Sequence, residues 1–260
     1  MSAVGSKTVT SLANDTVKQV RALHLRKARE ESGLFLAEGL KIVTEAVDLG
    51  FRPAILMHAA QAAGHPALAR AAALAGETVE VTPAILAKIS RRENPQTVLG
   101  VFEQRFTHLV ELKPDGVLVA LEEVRDPGNL GTILRTADAA GCAGVILIGD
   151  TCDPYSVEAV RATMGSIFAV AVARASVAEF LAWRARWTGQ VVGTLLTATT
   201  DFRAAALGAP SVILLGNEQA GLTAELAAAC DVNVKIPMRG RADSLNLAVA
   251  AGVMIYAATG

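Results

Sequence analysis

The sequence has few cysteines, few charges, few aromatic residues and no long apolar run. Its three cysteines, Cys142, Cys152 and Cys230, form no C-x-x-C pair and have no clustered histidine partners, so neither a disulfide framework nor a zinc site is predicted. We interpret them as buried core thiols and expect no metal. Charged residues make up 19% of the chain against 52% hydrophobic residues, a balance that excludes a disordered chain.

Two further absences concern the membrane and the compartment. No stretch reaches the ~18 apolar residues that a transmembrane helix needs, so no membrane partner is expected. The first ten residues have neither the basic start nor the hydrophobic run of a signal peptide. We therefore expect a cytoplasmic protein.

The length of 260 residues is enough for two ordinary domains or one large α/β domain, and the charge distribution supports two. The net charge of −1 combines 14 basic and 11 acidic residues in positions 1–113 with 10 basic and 14 acidic residues in positions 114–260. Between these halves stands the turn-like Lys113-Pro114-Asp115-Gly116, just before a strongly apolar run. We predict one domain over residues 1–110 and a second over residues 111–260.

The first half alternates helix and strand patterns, which predicts a small α/β/α domain. Its first helix is predicted over residues 15–31. The exposed positions of that helix carry five cations, Lys18, Arg21, Arg26, Lys27 and Arg29. They form either a solvated helix face with glutamate partners or a surface that contacts phosphates.

The second half has longer and more apolar strand patterns, among them residues 117–121, 145–148, 169–172 and 212–215. Runs this continuous predict a parallel sheet that helices cover on both faces. The last helix is predicted over residues 244–258. The fold class is therefore α/β, with a small α/β/α domain followed by a parallel-sheet domain.

Three segments place polar and glycine residues directly after predicted strands, where ligands enter open parallel sheets. Each segment alone is also explained by a simple turn or a helix start. Three of them at adjacent strand ends of one sheet predict a functional site. Their distinctive residues are, in chain order, Asn129, Gly131 and Arg135; Gly216, Glu218 and Gly221; and Ile236, Met238, Ser244, Leu245 and Asn246.

Two nucleotide-binding motifs come close to these segments but do not fit. Gly128 and Gly131, with Asp150 about 20 residues further on, suggest a dinucleotide-binding oxidoreductase, but G-x-x-G is not the required G-x-G-x-x-G. Gly216 and Gly221 have the glycine spacing of a Walker loop, and Thr223 fits its last position, but Leu222 stands where the lysine is required. Both readings are therefore disfavoured.

The patterns Asn129-x-Gly131-x-x-x-Arg135, Gly216-x-Glu218-x-x-Gly221 and Ile236-Pro237-Met238 with Ser244-Leu245-Asn246 resemble the three ordered motifs of the SpoU (TrmH-type) RNA ribose 2′-O-methyltransferases. The resemblance covers most of residues 116–260. The first half is similar to the substrate-binding domain that often precedes this catalytic domain, which is related to the L30e/L7Ae RNA-binding fold.

The resemblance implies a fold and a cofactor that the residue pattern does not reveal by itself. It implies a C-terminal trefoil knot in the second domain and a homodimer packed through that domain. It also implies that S-adenosylmethionine binds in the knot loops, mostly to backbone groups. The corresponding positions are Leu195, Gly216, Gly221, Ile236, Met238 and Leu245.

The resemblance assigns the catalytic role to Arg135, with Asn129, Ser244 and Asn246 positioning it or the substrate and Glu218 organising the site. All four histidines lie in the first half, so none belongs to these motifs. An arginine is a poor base, since its pKa exceeds about 12. We therefore expect Arg135 to stabilise the developing alkoxide and the adjacent RNA phosphate, with that phosphate or water assisting removal of the proton.

The predicted function is methyl transfer from S-adenosylmethionine to a ribose 2′-hydroxyl of structured RNA, with 23S ribosomal RNA as the favoured substrate. Transfer RNA is the alternative substrate, and a non-catalytic RNA-binding or ribosome assembly factor is the alternative class. The cations of the first helix would hold the RNA backbone, and no DNA partner is expected.

Overall fold

The computed structural model describes residues 7–260, which form two compact units. One unit comprises the chain up to Gln104 together with Tyr155–Phe168, and the other comprises Arg105–Pro154 and Ala169–Gly260. The prediction of no signal peptide concerns residues 1–10, and residues 1–6 of these lie outside the described residues.

The strands and helices alternate along most of the chain. The strands are β1 (Lys7–Val9), β2 (Leu34–Glu38), β3 (Ile55–His58), β4 (Glu77–Val81), β5 (Val98–Glu103), β6 (Val117–Glu122), β7 (Gly144–Ile148), β8 (Val172–Ala175), β9 (Gln190–Thr194), β10 (Thr200–Asp201), β11 (Ser211–Leu215) and β12 (Val232–Lys235). The α-helices are α1 (Asp15–Ala22), α2 (Arg26–Ser32), α3 (Leu40–Asp48), α4 (Pro66–Leu74), α5 (Pro83–Ser90), α6 (Pro127–Ala139), α7 (Val157–Thr163), α8 (Val177–Arg184), α9 (Ala224–Ala228) and α10 (Leu247–Thr259).

The sheet of the first unit has the strand order β1-β4-β3-β5-β2. β1, β4 and β3 are parallel, whereas β5 is antiparallel to both β3 and β2. Its core joins strand residues such as Met57 and Val79 to Val17 and Val20 of α1 and Ile89 of α5. Burial of these side chains fixes α1 and α5 against the sheet.

The helix predicted over residues 15–31 is interrupted, so the prediction of one continuous helix was wrong. Leu23, His24 and Leu25 separate α1 from α2. Leu25 has extended backbone, with φ −91° and ψ 129°. Leu23 is 2% exposed, and Nε2 of His24 lies 2.6 Å from the carbonyl oxygen of Ile89. These inward contacts compete with helical continuation and turn the chain toward the core.

The second unit contains a seven-stranded sheet in the order β10-β12-β9-β11-β6-β7-β8. Every adjacent pair is parallel, which confirms the predicted parallel-sheet domain. The strand predicted over residues 169–172 lies instead at Val172–Ala175. Phe168 and Val170 are buried just before it, so the apolar pattern begins earlier than the strand.

The parallel arrangement brings several strand ends to one edge of this sheet. Leu215, the last residue of β11, pairs with Leu121 of β6 on one side and with Thr194 of β9 on the other. The segments that follow these three strands therefore start side by side. The last helix begins at Leu247 rather than at the predicted residue 244, because the side chain of Asn246 caps its first turn.

Candidate active site

A cavity of about 610 Å³ opens at this edge of the sheet in the second unit. Its walls come from the segments after β9, β11 and β12 and from the first turns of α6 and α10. Apolar side chains line much of it, and a few polar groups converge on it, as in pockets that bind organic cofactors. All six residues expected at the cofactor line this cavity: Leu195, Gly216, Gly221, Ile236, Met238 and Leu245.

The turn after β11 explains the two glycines of the second segment. The backbones of Asn217 and Gly221 exchange hydrogen bonds, with N···O distances of 3.1 and 2.9 Å. A Cβ atom on Gly216 would overlap the backbone of Gly221 and Leu222. Gly221 has a φ of 69°, which is readily adopted by glycine. The glycine at 216 is thus required for this tight turn at the cavity wall.

A hydrogen-bond chain joins one side chain from each of the three predicted segments. Nδ2 of Asn129 donates to Oε1 of Glu218 at 3.2 Å. Oδ1 of Asn129 accepts from Nδ2 of Asn246 at 2.9 Å. Oδ1 of Asn246 in turn accepts from the backbone N–H groups of Ala248 and Val249, at 2.9 and 3.3 Å. Both ends of Asn129 are therefore engaged, which fixes the orientation of its amide at the cavity.

Glu218 also anchors the turn that leads into α6. Its carboxylate oxygens accept the backbone N–H groups of Arg125 and Asp126, at 3.3 and 3.4 Å. Asp126 caps α6 by accepting the N–H of Asn129 at 2.7 Å. The carboxylate of Glu218 thus collects three donors from the first segment.

The arginine in this turn is already neutralised by carboxylates. Arg125 pairs with Asp150 at 2.9 Å and with Glu123 at 3.0 Å. The hydrogen bonds that its guanidinium donates, first to Asp150 and then to Glu123, raise the pKa of Arg125. Asp150, the candidate ribose-binding carboxylate of the oxidoreductase alternative, is thus an ion-pair partner of Arg125.

Two predicted catalytic residues are exposed and differ in their position. Ser244 lines the cavity, and its hydroxyl donates to Oδ1 of Asp243 at 3.3 Å. Arg135 lies on the exposed side of α6 and does not line the cavity. Within residues 7–260, its side chain makes no hydrogen bond or ion pair. The structure therefore brings Asn129, Glu218, Ser244 and Asn246 together and leaves Arg135 outside this group.

The cations predicted to contact RNA belong to the first unit, and one of them requires a correction. Arg29 is 3% exposed, and its guanidinium donates to the carbonyl oxygen of Leu23 at 2.7 Å. It stabilises the end of α1 and is not available to RNA in this structure. Three of the other cations have carboxylate partners on their own helices: Lys18–Asp15 at 2.9 Å, Arg26–Glu30 at 2.7 Å and Lys27–Glu31 at 3.8 Å.

Two residues at the site escaped the sequence analysis. Thr194 lines the cavity, and its hydroxyl is buried without a hydrogen-bond partner among the described residues. Glu122 is 2% exposed and accepts the N–H of Thr223 at 2.8 Å, which ties the end of β6 to the start of α9. Both stand at strand ends, and this position is the signal that identifies them.

The acidic side of the site also affects a thiol. Burial, followed by the charges of Glu218 and Asp126, raises the pKa of Cys152 to about 12. Among residues 7–260, no three or more His, Cys, Asp and Glu side chains are placed to hold a metal ion. In the same part of the chain, no helix is both long and apolar enough to cross a membrane.

Both halves of the chain are similar to known proteins. Residues 116–256 match the SpoU rRNA Methylase family, and residues 14–100 match the MRM3-like substrate binding domain. An AdoMet-bound rRNA methyltransferase from Sinorhizobium meliloti is 48% identical, covers 97% of each chain and superposes with a TM-score of 0.92. The 23S rRNA (guanosine(2553)-2′-O)-methyltransferase RlmP of Bacillus subtilis is 29% identical over 96% of this chain and 98% of its own. The 23S rRNA (uridine(2479)-2′-O)-methyltransferase of Streptomyces viridochromogenes is 32% identical over 90% and 85%.

Proposed function

The chain belongs to the SpoU rRNA Methylase family, and we propose that it transfers a methyl group from S-adenosylmethionine to a ribose 2′-hydroxyl of 23S ribosomal RNA. It is an RNA ribose 2′-O-methyltransferase that uses this cofactor. The relatives that align with it over nearly their whole lengths are rRNA methyltransferases. The observation that carries the proposal is the hydrogen-bond chain from Glu218 through Asn129 to Asn246, which joins three distant segments beside one cavity.

The cavity fits S-adenosylmethionine in size, in lining and in unused polar groups. Its volume of about 610 Å³ falls within the range of about 300–1,000 Å³ for sites of organic ligands. The buried hydroxyl of Thr194 has no hydrogen-bond partner among residues 7–260, so a ligand in the cavity could supply one. Ile236 and Met238 offer apolar contacts, and the tight turn at Gly216 offers backbone groups. When bound, the cofactor supplies an electrophilic methyl group on a sulfonium.

The chain's own residues would align the ribose and stabilise its oxygen. Asn129, fixed at both ends of its amide, would hold the substrate side of the cavity in one geometry. Ser244 and Asn246 would position the ribose beside Asn129, and Glu218 would organise the turn. Arg135, with its permanent charge, would stabilise the developing alkoxide and the neighbouring phosphate, and the proton of the 2′-hydroxyl would pass to that phosphate or to water.

Several finer assignments complete the proposal. The L30e-like RNA substrate-binding domain is assigned to residues 1–110 and the catalytic domain to residues 111–260. Tyr155–Phe168 lies in the second range but belongs to the first compact unit. The knot is supported by the path of the chain, since β12 lies beyond β9 and the chain then returns to pack α10 against β11 and β6. A homodimer through the catalytic domain is supported by Val249 and Tyr256, which are 53% and 56% exposed on α10.

The proposed substrate also bears on the compartment and on the first unit. We place the protein in the cytoplasm, where ribosomal RNA is its substrate. Lys18, Arg21, Arg26 and Lys27 are exposed on α1 and α2 and would contact the RNA backbone.

The test is transfer of labelled methyl groups from S-adenosylmethionine to unmodified 23S rRNA and, separately, to unmodified tRNA, followed by nucleoside mass spectrometry. A 2′-O-methylated nucleoside is expected in the 23S rRNA and not in the tRNA. Arg135→Ala should lower turnover by about 100-fold or more, the effect of removing a donor to a transition-state oxyanion. Methylation of tRNA alone would move the substrate to tRNA, and cofactor binding without methylation of either RNA would contradict the proposal. Near-normal turnover of Arg135→Lys would refute the specific role of the guanidinium.

A further inference from the structure

A second cavity, of about 280 Å³, lies in the first unit between α1 and the end of α5. Its lining consists of Lys18, Arg21, Ala22, His24, Lys88 and Arg91. Four of these six residues carry a positive charge and none carries a negative one. The volume is below the range of about 300–1,000 Å³ for organic cofactor pockets, so the cavity suits a small anionic group.

Most of these cations are not engaged by the protein itself. Within residues 7–260, the side chains of Arg21, Lys88 and Arg91 make no hydrogen bond or ion pair. Lys18 pairs with Asp15, but the side chain of Asp15 is 98% exposed and exchanges readily with another anion. The cavity therefore combines positive charges from two helices without a buried counter-charge.

His24 forms a neutral wall of the cavity. Its Nε2 lies 2.6 Å from the carbonyl oxygen of Ile89, which can only accept, so Nε2 carries the hydrogen. Burial lowers the pKa of His24, an effect to which nearby Arg91 and Arg161 add, while hydrogen bonding to Ile89 and the charge of Glu158 oppose it. The ring thus adds shape, and the charge comes from the lysines and arginines.

A plainer explanation exists for some of these positions. Arg21 stands in the last turn of α1 and Lys88 in the last turn of α5, where cations stabilise helix ends. That effect acts on each helix separately. It gives no reason for cations of two helices to face one cavity. The unfolding temperature of variants that lack these cations measures the helix effect separately from ligand binding.

We propose that this cavity binds a backbone phosphate of the RNA substrate. The inference rests on the proposed function. It locates an RNA contact of the first unit at one cavity instead of along the whole cationic surface. Lys88 and Arg91 thereby join the residues proposed to contact RNA. They face Lys18 and Arg21 across the cavity. Arginine and lysine are the side chains that bind phosphates in this way, without reading sequence.

The test compares two double variants that lose the same charges. Arg21→Gln/Lys88→Gln removes one arginine and one lysine from the cavity. Lys41→Gln/Arg70→Gln removes one of each elsewhere in the first unit, where they pair with Glu45 and Asp48. Binding to labelled, unmodified 23S rRNA is measured by filter retention from low to moderate salt. The slope of log affinity against log salt should fall by about 0.7–0.9 for the cavity variant, as expected when the contact to one phosphate is lost.

The control variant should keep the slope of the unmodified protein, and both variants should keep its affinity for S-adenosylmethionine and its unfolding temperature. An equal fall in slope for both variants, or no fall for the cavity variant, would overturn the inference. The inference would also be overturned if polyglutamate displaced the RNA as effectively as unlabelled RNA does, because the site would then prefer an acidic peptide. Methyl transfer by the unmodified protein is measured in parallel, so failure of the proposed function is seen independently of the cavity result.

Discussion

Replacing Glu218 by glutamine tests whether the charge of this carboxylate organises the site. Glu218 accepts three hydrogen bonds, from the N–H groups of Arg125 and Asp126 and from Nδ2 of Asn129. Glutamine keeps the shape but has one acceptor oxygen and one NH₂ group. With its oxygen in the place of Oε1, it retains the bonds to Asp126 and Asn129. Its NH₂ group then faces the N–H of Arg125, where two donors oppose each other.

The expected loss follows from these three bonds. One charge-assisted hydrogen bond is lost, and two others become neutral hydrogen bonds. Each of these three changes removes about 1 kcal/mol of hydrogen-bond energy. Glu218 is exposed, and water takes over part of the lost interaction. We therefore expect the transition state to lose about 1–2 kcal/mol of stabilisation, which corresponds to a fall of about 5–30-fold in kcat/KM for RNA methylation. Methyl transfer to 23S rRNA under steady-state conditions measures it.

Glu225→Gln is the matched control, because Glu225 is exposed on α9, just after the same turn. It removes the same charge without touching the hydrogen-bond chain. The reasoning is refuted if Glu218→Gln keeps the kcat/KM of the unmodified enzyme, or if Glu225→Gln lowers it equally. In the second case the net charge near the cavity, and not the bonds of Glu218, would determine the rate.

Three further predictions concern the cavity wall, the first unit and a thiol. Gly216→Ala should weaken S-adenosylmethionine binding more than tenfold in calorimetry, because its Cβ would overlap the backbone of Gly221; unchanged affinity would contradict the described turn. Arg161→Ala should lower the free energy of unfolding in urea by about 2–3 kcal/mol, because among residues 7–260 the buried carboxylate of Glu38 then keeps only Arg92, whose Nε lies 3.9 Å from Oε2; a loss below about 1 kcal/mol would refute this. Burial raises the pKa of Cys152 from 9.0 to about 12, so its alkylation at pH 8 should be far slower in the native protein than in urea. Its contribution to stability should decrease above about pH 9, where only the unfolded thiol ionises.

The parallel sheet and the position of the site were predictable for a physical reason. Strands such as β6 and β11 are buried along their whole lengths, so their continuous apolar runs are visible in the sequence. Parallel strands end at one edge, so polar segments that follow them meet without any knowledge of side-chain contacts. The short strands β1 and β10 were not predicted, because three and two residues show no periodicity.

The contacts within the site were not predictable from periodicity. Asn129 and Asn246 are 117 residues apart, and their hydrogen bond depends on the placement of α10 beside α6. The same limit applies to Tyr155–Phe168, which belongs to the first unit although it follows strands of the second. Its aromatic ends pack on Phe35, with ring centroids 4.6 and 5.5 Å away. Neither the composition nor the charge distribution of the sequence predicts such a discontinuous unit.

The two arginines of the first polar segment differ in the partners of their guanidinium groups. Arg125 lies closer to the turn held by Glu218, but Asp150 and Glu123 already neutralise its guanidinium. To act on a developing alkoxide it would first have to exchange these two exposed ion pairs, which Arg135 does not need to do. Arg135 is exposed on α6 and is paired with no residue of the described chain, so its full charge is available to RNA that arrives from solvent. A position outside the cavity therefore supports its proposed role, because the cavity is suited to the methyl donor and the ribose must approach from the open side.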